Sequence, residues 1–358
     1  MSLFTIISAM VGSSTSSPTP PPSDYFDPVS GTIDFTDSHF MYSAAGFTKT
    51  GYTGRSPGGY VEFRTSETDF SVKVGGGWSG HGAQSQVYLW VDGVYNQTLT
   101  LTADNTTQTI AITSLAAGEK IVRLINGYAA NPDAASNVNL PDATVSVQGV
   151  VTTGNIEIKK PVVPTKKILL FGMSITTGAT CDRPTDTSWA MQLRNTDDFP
   201  IQLDSYGGRT LSNAVLNFGS TEASAMVAYH RAQLSGVTTK EIWMDLVTND
   251  FFFNISKATW KTRVALYADT LHAADASITL IWLRPTDRLS YDTANSGGAT
   301  LGDLADGIDE VAATRSSWFK VMGSKTDLDL DNTSDGLHPN QTGHNQLYTA
   351  RKSEYLAL

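Results

Sequence analysis

Two short segments of this sequence carry residues that could cooperate in nucleophilic chemistry. One is FGMSITTG, which contains Ser174, and the other is SDGLHPNQTGH, which contains Asp335 and His338. A serine hydroxyl attacks poorly until a base removes its proton, and a histidine acts as that base when a carboxylate fixes its tautomer. The two segments together supply all three groups, so we expect a Ser-His-Asp triad of Ser174, His338 and Asp335.

The residues around each motif indicate how the groups are positioned. The apolar run KKILLF ends at Gly172, which is typical of a buried strand that stops at a tight turn. Ser174 would then lie at the carboxyl end of a strand, where open parallel sheets bind their ligands. Taken singly, Gly-x-Ser also fits an ordinary turn and Asp-x-x-His a solvated pair, but their presence in one chain favours chemistry.

Four segments resemble the sequence blocks of the SGNH hydrolases of the GDSL esterase superfamily, which carry Ser, Gly, Asn and His in that order. In chain order they are GMSIT at 172–176, SYGGRT at 205–210, VTND at 247–250 and DGLHP at 335–339. The resemblance implies an oxyanion hole formed by the backbone N–H groups of Ser174 and Gly208 and the side-chain amide of Asn249. Each such donor can contribute about 3–4 kcal/mol to transition-state stabilisation. Outside this family, Gly208 would fit a Gly-Gly turn and Asn249 a helix cap.

Two positions depart from the blocks of this family. Met173 stands where the first block has aspartate, and Val247 stands where the third block has glycine. Neither position is a member of the triad, so the departures leave the chemistry possible.

Composition excludes several other functions. The 358 residues carry a formal net charge of −10 with no basic cluster, so we expect no nucleic-acid partner. Cys181 is the one cysteine, which rules out an intramolecular disulfide. We expect no cofactor and no required metal, because no Cys, His or carboxylate cluster has metal-site spacing. We interpret the remaining histidines as structural or solvated: His39, His81, His230, His272 and His344.

The amino-terminal part predicts an all-β domain. Residues 1–28 begin with an apolar stretch of signal-peptide length that has no basic residue before it and is too short to span a membrane; a Ser/Pro-rich segment follows. A secreted or periplasmic location stays open, and we expect this segment to be flexible. Residues 29–158 contain seven short, alternating or β-branched runs separated by turn residues, the pattern of an antiparallel sandwich or jelly roll. A proline-containing linker is expected at 156–167.

Residues 165–358 alternate between strand and helix patterns. Apolar strands are expected at 167–171, 241–247 and 278–283, with helices at about 221–235, 257–275 and 341–356. This alternation predicts a three-layer α/β domain with a flavodoxin-like parallel sheet. The fold class is therefore a β sandwich or jelly roll followed by an SGNH-type α/β hydrolase domain.

The β half also resembles the amino-terminal jelly roll of family-two carbohydrate esterases. That resemblance implies a serine esterase that removes acyl groups, foremost O-acetyl groups, from carbohydrate. The alternatives are an esterase for simple or lipid esters and a carbohydrate-binding protein with an impaired esterase half. Four aromatic residues of the β half would be either sugar-stacking residues or core residues: Trp78, Tyr88, Trp90 and Tyr95. The three phenylalanines at 251–253 would either line a substrate pocket or pack as a hydrophobic wedge under the loop. The oligomeric state is not predicted.

Overall fold

The chain forms two β-sheets, which follow one another along the sequence. The computed structural model describes residues 27–34, 40–42, 47–48, 53–54, 59–76, 86–100, 107–126, 145–159, 164–181, 183–205, 207–211, 218–288 and 290–358. Within these ranges the antiparallel strands are β1 Asp27–Asp34, β2 Met41–Tyr42, β3 Phe47–Thr48, β4 Thr53–Gly54, β5 Tyr60–Thr65, β6 Phe70–Gly76, β7 Gln86–Val91, β8 Val94–Thr100, β9 Thr107–Ile112, β10 Lys120–Asn126 and β11 Val145–Lys159.

The antiparallel part is built from alternating strands that bury one face. Strand β10 lies between β5 and β7, while β11 pairs with both β1 and β6. Phe63 is fully buried and packs edge-on against Phe40 and Phe70, at centroid distances of 5.4 and 5.8 Å. Period-two alternation places such residues on a single face, which fixes the register of each strand. The predicted antiparallel β domain is confirmed.

The change from one sheet to the other falls in a short segment. Strand β11 continues to Lys159, so residues 156–159, which the sequence assigns to the linker, belong to the antiparallel sheet. They pair with β1 and β5, which satisfies their backbone groups. The next strand begins at Lys166.

The carboxyl-terminal part contains a five-stranded parallel sheet. Its strands are β12 Lys166–Gly172, β13 Ile201–Ser205, β14 Thr239–Asp245, β15 Ile278–Leu283 and β16 Phe319–Met322. They lie in the order β13-β12-β14-β15-β16, which is the flavodoxin-like order with a topological switch point beside the first strand. The predicted α/β fold is confirmed, and β12 and β14, which carry the first and third blocks, are neighbours.

Helices pack around this sheet in two groups. They are α1 Ser174–Thr177, α2 Pro184–Thr187, α3 Trp189–Asp197, α4 Ser220–Gln233, α5 Thr248–Phe252, α6 Lys257–Ala274, α7 Leu301–Ala313 and α8 Gln341–Leu356. Helix α3 packs against α8, whereas α6 packs against both α4 and α7. Side-chain caps start several of them: Ser256 accepts a hydrogen bond from the Thr259 N–H at 3.3 Å, and Thr300 accepts one from Asp303 at 3.0 Å.

The aromatic residues of β7 and β8 face the α/β part of the chain. Tyr88 and Trp90 are 1% and 8% exposed, and Trp90 packs edge-on against Tyr95. The Arg183 guanidinium, just before α2, lies 3.9 Å from the centroid of the Tyr95 ring. A stacked arginine on an aromatic face stabilises such a contact. These three residues therefore pack between the two parts of the chain, as the core interpretation expects; Trp78 lies outside the described residues.

Candidate active site

Ser174 lies at the carboxyl end of β12, at the first position of α1. The preceding Met173 is extended, with φ −118° and ψ −161°, so the chain turns sharply from strand to helix. A Cβ atom at Gly172 would lie 2.1 Å from the Thr176 hydroxyl oxygen, which leaves no room for a side chain. The turn keeps Ser174 half-buried at the edge of the sheet, where its hydroxyl can meet a ligand.

His338 and Asp335 come to this edge from the loop before α8. His338 Nε2 lies 3.0 Å from Ser174 Oγ, and His338 Nδ1 lies 2.8 Å from Asp335 Oδ2. Both distances are those of hydrogen bonds. The structure thus brings together the three residues that the sequence analysis proposes as a triad, in the order carboxylate, imidazole and hydroxyl.

The Asp335 carboxylate also fixes the loop that carries His338. Its Oδ1 accepts the backbone N–H groups of Leu337 at 2.9 Å and of His338 at 2.7 Å. Partial burial opposes ionisation of Asp335, but the hydrogen bonds from the His338 backbone, the His338 ring and the Leu337 backbone outweigh it and lower its pKa to about 2. Asp335 is therefore an anion over the whole neutral range.

Further backbone contacts tie this loop to the serine turn. Gly336 adopts the left-handed conformation, with φ +77°, which glycine adopts without strain. The Ser334 N–H donates to the His338 carbonyl at 2.9 Å, closing the loop on itself. The Thr180 hydroxyl, three residues past the end of α1, donates to the Pro339 carbonyl at 2.8 Å. These bonds hold His338 over Ser174.

The second block lies beside the serine. Gly207 and Gly208 form an exposed turn, and a Cβ atom built on Gly207 would be 3.9 Å from the Ser174 Cβ. Gly208 has φ +76°, and no heavy atom of the described residues lies within 4 Å of a Cβ built on it. Glycine is needed at position 208 for its backbone conformation, and the open space leaves room for a ligand. Tyr206 of this block lies outside the described residues.

Asn249 reaches the same place from the start of α5. Its Nδ2 donates to the Arg209 carbonyl at 2.9 Å and lies 3.8 Å from Met173 Sδ. An amide nitrogen has two N–H groups and a thioether is a weak acceptor, so one donor remains available to a stronger acceptor. The structure therefore groups Ser174, the Gly207–Gly208 turn and Asn249 at one edge of the sheet.

Arg209 holds the second block against the first, a role that the sequence analysis missed. Its guanidinium donates to the Asp204 carboxylate at 2.7 Å, to the Asp204 carbonyl and, at 3.4 Å, to the Gly172 carbonyl. The Arg209 Cζ atom lies 3.9 Å from the centroid of the Phe171 ring. Arg209 is only 7% exposed, and a buried arginine needs such partners. Asp204 lies just before Arg209 in the sequence, but the Gly172 carbonyl and the Phe171 ring come from β12, and no signal in the sequence identifies this set of partners.

Asp250 anchors the other end of the same segment. Its Oδ2 accepts the Leu211 N–H at 3.1 Å, and the side chain is 1% exposed. Asn249 and Asp250 are adjacent in α5, so a single turn of helix holds the second block at two points. Its backbone is thus fixed before any ligand arrives, which is the condition for electrostatic preorganisation.

The two departures from the family blocks have local explanations. Met173 is buried and lines a cavity of about 10 Å³, together with Asp245 and Arg288. The Thr176 hydroxyl donates a hydrogen bond to the buried carboxylate of Asp245, so an acidic group already lies beside the serine turn. Burial raises the pKa of Asp245. Val247 has φ −177°, an extended value that any residue adopts, and its side chain is fully buried. Valine therefore fits the third block without strain.

The histidines outside the triad are packing residues wherever the structure describes them. His230 is fully buried, bonded to the Tyr267 hydroxyl at 2.6 Å, and burial lowers its pKa to about 3. Burial likewise lowers the pKa of His344 to about 4. His272 stacks on Trp318 at 4.1 Å. His39 and His81 lie outside the described residues.

The cysteine, the potential metal ligands and the helices of the described residues form no further site of this kind. Cys181 is buried and reduced, and its thiol contacts the Gly178 carbonyl at 3.0 Å. Among the residues described, no three His, Cys, Asp or Glu side chains lie close enough to hold a metal ion. In the same part of the chain no helix is long and apolar enough to cross a membrane.

Comparison with known proteins identifies the fold. No protein-family model matches the sequence, and a search of curated proteins finds no match. Among solved structures, the chain is similar to the salicylyl-acyltransferase SsfX3 from a tetracycline biosynthetic pathway, with a TM-score of 0.68, 14% identity and coverage of 91% of this chain and 96% of that one. It is equally similar to a family-two carbohydrate esterase from Cellvibrio japonicus, with a TM-score of 0.68, 17% identity and coverage of 92% and 98%.

A third similar structure is the acetyl xylan esterase Est2A from the rumen bacterium Butyrivibrio proteoclasticus, with a TM-score of 0.63, 14% identity and coverage of 91% and 98%. These matches extend over nearly the whole of each protein, so they include both sheets. The resemblance that the four sequence blocks indicate is therefore confirmed at the level of fold: the chain has the two-part architecture of these solved structures, an antiparallel β domain joined to a flavodoxin-like α/β domain.

Proposed function

We propose that this protein is a serine esterase whose nucleophile is Ser174. The observation that carries the proposal is the continuous hydrogen-bonded chain from Asp335 through His338 to the Ser174 hydroxyl, at 2.8 and 3.0 Å. A solvated Asp-x-x-His pair would have no reason to direct its far ring nitrogen at a serine that comes from another part of the sequence.

In this mechanism His338 Nε2 accepts the Ser174 proton while Oγ attacks the acyl carbon of an ester. The imidazolium that forms is stabilised by ionised Asp335 at its other nitrogen. Negative charge develops on the carbonyl oxygen, where the N–H groups of Ser174 and Gly208 and the amide of Asn249 are positioned to stabilise it. Proton return from His338 to the alkoxide releases the alcohol and leaves an acyl-enzyme.

The second half of the reaction repeats these steps with water. His338 removes a proton from water, the hydroxide attacks the acyl-enzyme, and the tetrahedral intermediate collapses to the free acid and the Ser174 hydroxyl. The nucleophile, the base and the proposed oxyanion donors of this cycle are all groups of the chain.

The proposed substrate is an O-acetyl group on a carbohydrate. The named activities of two similar structures, a family-two carbohydrate esterase and an acetyl xylan esterase, support this choice. The exposure of Gly207 and Gly208 beside the serine is consistent with a large substrate. An esterase for lipid or simple esters is the nearest alternative, and a preference for long acyl chains would indicate it.

Two exposed phenylalanines beside the site favour a contact with the substrate. Asn249, Phe252 and Phe253 are three and four positions apart, so they share one face at the end of α5. Phe252 and Phe253 are 50% and 56% exposed, while Phe251 is buried in the core. Phe251 is thus the residue that packs as a hydrophobic wedge under the loop, whereas Phe252 and Phe253 are available to contact a sugar ring or an acyl chain.

A second candidate is acyl transfer to an alcohol instead of water. The similarity to SsfX3, which is named as an acyltransferase, favours it. Both activities share the same acyl-enzyme, so they differ only in the acceptor that His338 activates.

The experiment that tests the proposal is hydrolysis of p-nitrophenyl acetate, butyrate and octanoate by the wild type and Ser174→Ala, with an acetylated oligosaccharide in parallel. We expect turnover that favours acetate, and its loss in the variant. Addition of sugar alcohols separates the two candidates, because transfer would form an acetylated sugar at the expense of free acetate. Equal inactivity of wild type and variant on every substrate would refute the enzymatic proposal and leave glycan binding to be tested.

A further inference from the structure

Thr180, just after α1, has a backbone conformation that is unfavourable for its type of side chain. Its φ is +72°, in the left-handed region. A side chain branched at Cβ is crowded against the backbone there, so a threonine in this region is an outlier. Within the described residues, five other non-glycine residues have positive φ, and none of them is branched at Cβ: Asp92, Ser114, Asp198, Asn254 and Ser290.

Neither packing nor the end of the helix explains the conformation of Thr180. The residue is exposed, so no surrounding core holds its side chain in place. Helix α1 already ends at Gly178, which has φ +91° and donates its N–H to carbonyl groups of the helix. A second left-handed residue is therefore not needed to end α1. Strained residues of this kind concentrate at functional sites, where the strain serves a position.

The Thr180 hydroxyl forms a bond that bears directly on the proposed base. It donates to the Pro339 carbonyl at 2.8 Å, an ordinary hydrogen-bond distance. Pro339 follows His338 directly and has no N–H, so its carbonyl is the one hydrogen-bonding group of its backbone. The bond joins the turn after Ser174 to the residue after His338. It therefore spans the same gap as the contact of 3.0 Å between His338 Nε2 and Ser174 Oγ.

We propose that Thr180 is a positioning residue, whose strained backbone is retained because it directs the hydroxyl to Pro339 and so fixes His338 over Ser174. The inference rests on the proposed esterase function and extends it to a residue outside the four sequence blocks. Glycine would suit the backbone at this position but would lack the donor. A displacement of about 1 Å at a reacting pair can cost about 10²-fold in rate, so the loss of one such bond should be measurable.

Three substitutions separate the hydroxyl from the strain. Thr180→Ser keeps the donor without the branch, so kcat for p-nitrophenyl acetate should stay within about twofold of the wild type. Thr180→Val keeps the branch without the donor, and Thr180→Gly lacks both. In these two variants kcat should fall about ten- to hundredfold, with KM changed by less than about twofold.

Thermal unfolding of the same variants shows whether the backbone is strained. Thr180→Gly should unfold at a Tm about 2 °C or more above that of Thr180→Val, because glycine adopts the left-handed conformation freely. The more stable of the two variants would then be no more active, whereas a residue that merely supports the fold would lose activity in proportion to stability. Ser114→Gly is the matched control, because it changes an exposed left-handed residue of the β half and should leave kcat unaltered.

Hydrogen exchange tests the hold of Thr180 on the loop without any turnover. In the structure the Ser334 N–H donates to the His338 carbonyl, and the His338 N–H donates to Asp335. The peptide covering residues 333–340 should exchange at least about threefold faster in Thr180→Val and Thr180→Gly, but not in Thr180→Ser. If the wild type hydrolyses no ester, the proposed function fails, while the exchange rates still decide whether Thr180 fixes the loop.

Three results would overturn the inference and leave the esterase proposal intact. The first is an active wild type whose kcat is unchanged in both Thr180→Val and Thr180→Gly. The second is a loop that exchanges at the wild-type rate in both variants. The third is a Thr180→Ser variant as impaired as Thr180→Val, since the shared hydroxyl would then have no effect.

Discussion

Replacing Asp335 by asparagine separates the two roles of this side chain. In the structure Oδ1 accepts two backbone N–H groups of the loop, and Oδ2 accepts the Nδ1 proton of His338 at 2.8 Å. Asparagine keeps an oxygen in the first position and places an NH₂ donor in the second. The loop should keep its shape, while His338 must present Nδ1 as an acceptor and so carry its proton on Nε2, where it can no longer accept one from Ser174.

The expected magnitudes follow from these contacts. A wrong tautomer of this kind costs up to about 10⁴-fold in kcat. The Asp335 side chain is 51% exposed, so water can compensate in part and we expect a loss of about 10²- to 10³-fold. The free energy of unfolding should fall less than in Asp335→Ala, because asparagine keeps an acceptor for the two backbone N–H groups. Asp335→Ala is the control, because it also removes both backbone bonds and should lose about 1–2 kcal/mol of stability.

The assay is kcat for p-nitrophenyl acetate, together with urea unfolding of the same preparations. Because the pKa of Asp335 is held at about 2, below its ordinary 3.8, the ionised group stabilises the folded chain above about pH 4, and this contribution is lost as the pH falls toward 2. The stability difference between wild type and Asp335→Ala should shrink over that range. Asp335→Asn with kcat within about threefold of the wild type would refute the orienting role.

Three other substitutions have definite expected outcomes. Arg209→Met removes the bonds to Gly172 and Asp204, so kcat should fall at least about tenfold with KM less affected; an unchanged kcat in a folded variant would show that Arg209 does not position the second block. Val247→Gly removes a fully buried side chain without relieving strain, so urea unfolding should show a loss of about 2–3 kcal/mol; a stabilised variant would contradict this. Phe253→Ala, at a half-exposed position, should leave stability within about 0.5 kcal/mol but raise KM for the acetylated oligosaccharide; an unaltered KM for every substrate would remove Phe253 from the substrate contact.

The fold was largely predictable because strand alternation and apolar runs are local signals. All seven expected strands of the β half correspond to β5 through β11, and the expected helices in the α/β half match α4, α6 and α8 within two residues. Strand β13 was missed because Gln202 and Asp204 are polar yet 4% and 6% exposed. Gln202 bonds Gln233 in α4, and Asp204 bonds Arg209 just after the strand, so neither partner lies within the strand pattern itself.

Helix α7 illustrates a second kind of omission. Gly302 and Gly307 lie within it, and glycine lowers helix propensity by about 1 kcal/mol. A Cβ atom at Gly307 would lie 3.0 Å from the side chain of Lys261 and 3.4 Å from that of Trp260, so this glycine allows α7 to approach α6 closely. A tertiary packing requirement thus overrides the local preference, and the sequence alone does not show it.

The candidate site, like the fold, was predictable only in part. The residues proposed for chemistry, Ser174, Asp335 and His338, were found because their types and order form a motif. Arg209 and Asp250 lie within the second and third blocks, but their supporting roles were not predicted, because Arg209 bonds the Gly172 carbonyl and Asp250 bonds the Leu211 N–H, both distant in the sequence. Chemistry constrains residue type at a few positions, whereas support depends on the whole packed structure.

The central claim, that Ser174 is the activated nucleophile, is tested most directly by labelling with a fluorophosphonate followed by peptide mass spectrometry. We expect a single adduct on the peptide containing Ser174, formed rapidly by the wild type and at least about 10³-fold more slowly by His338→Ala, because the serine then lacks its base. Ser174→Ala should acquire no adduct. Labelling at another residue, or equally fast labelling of the wild type and His338→Ala, would contradict it.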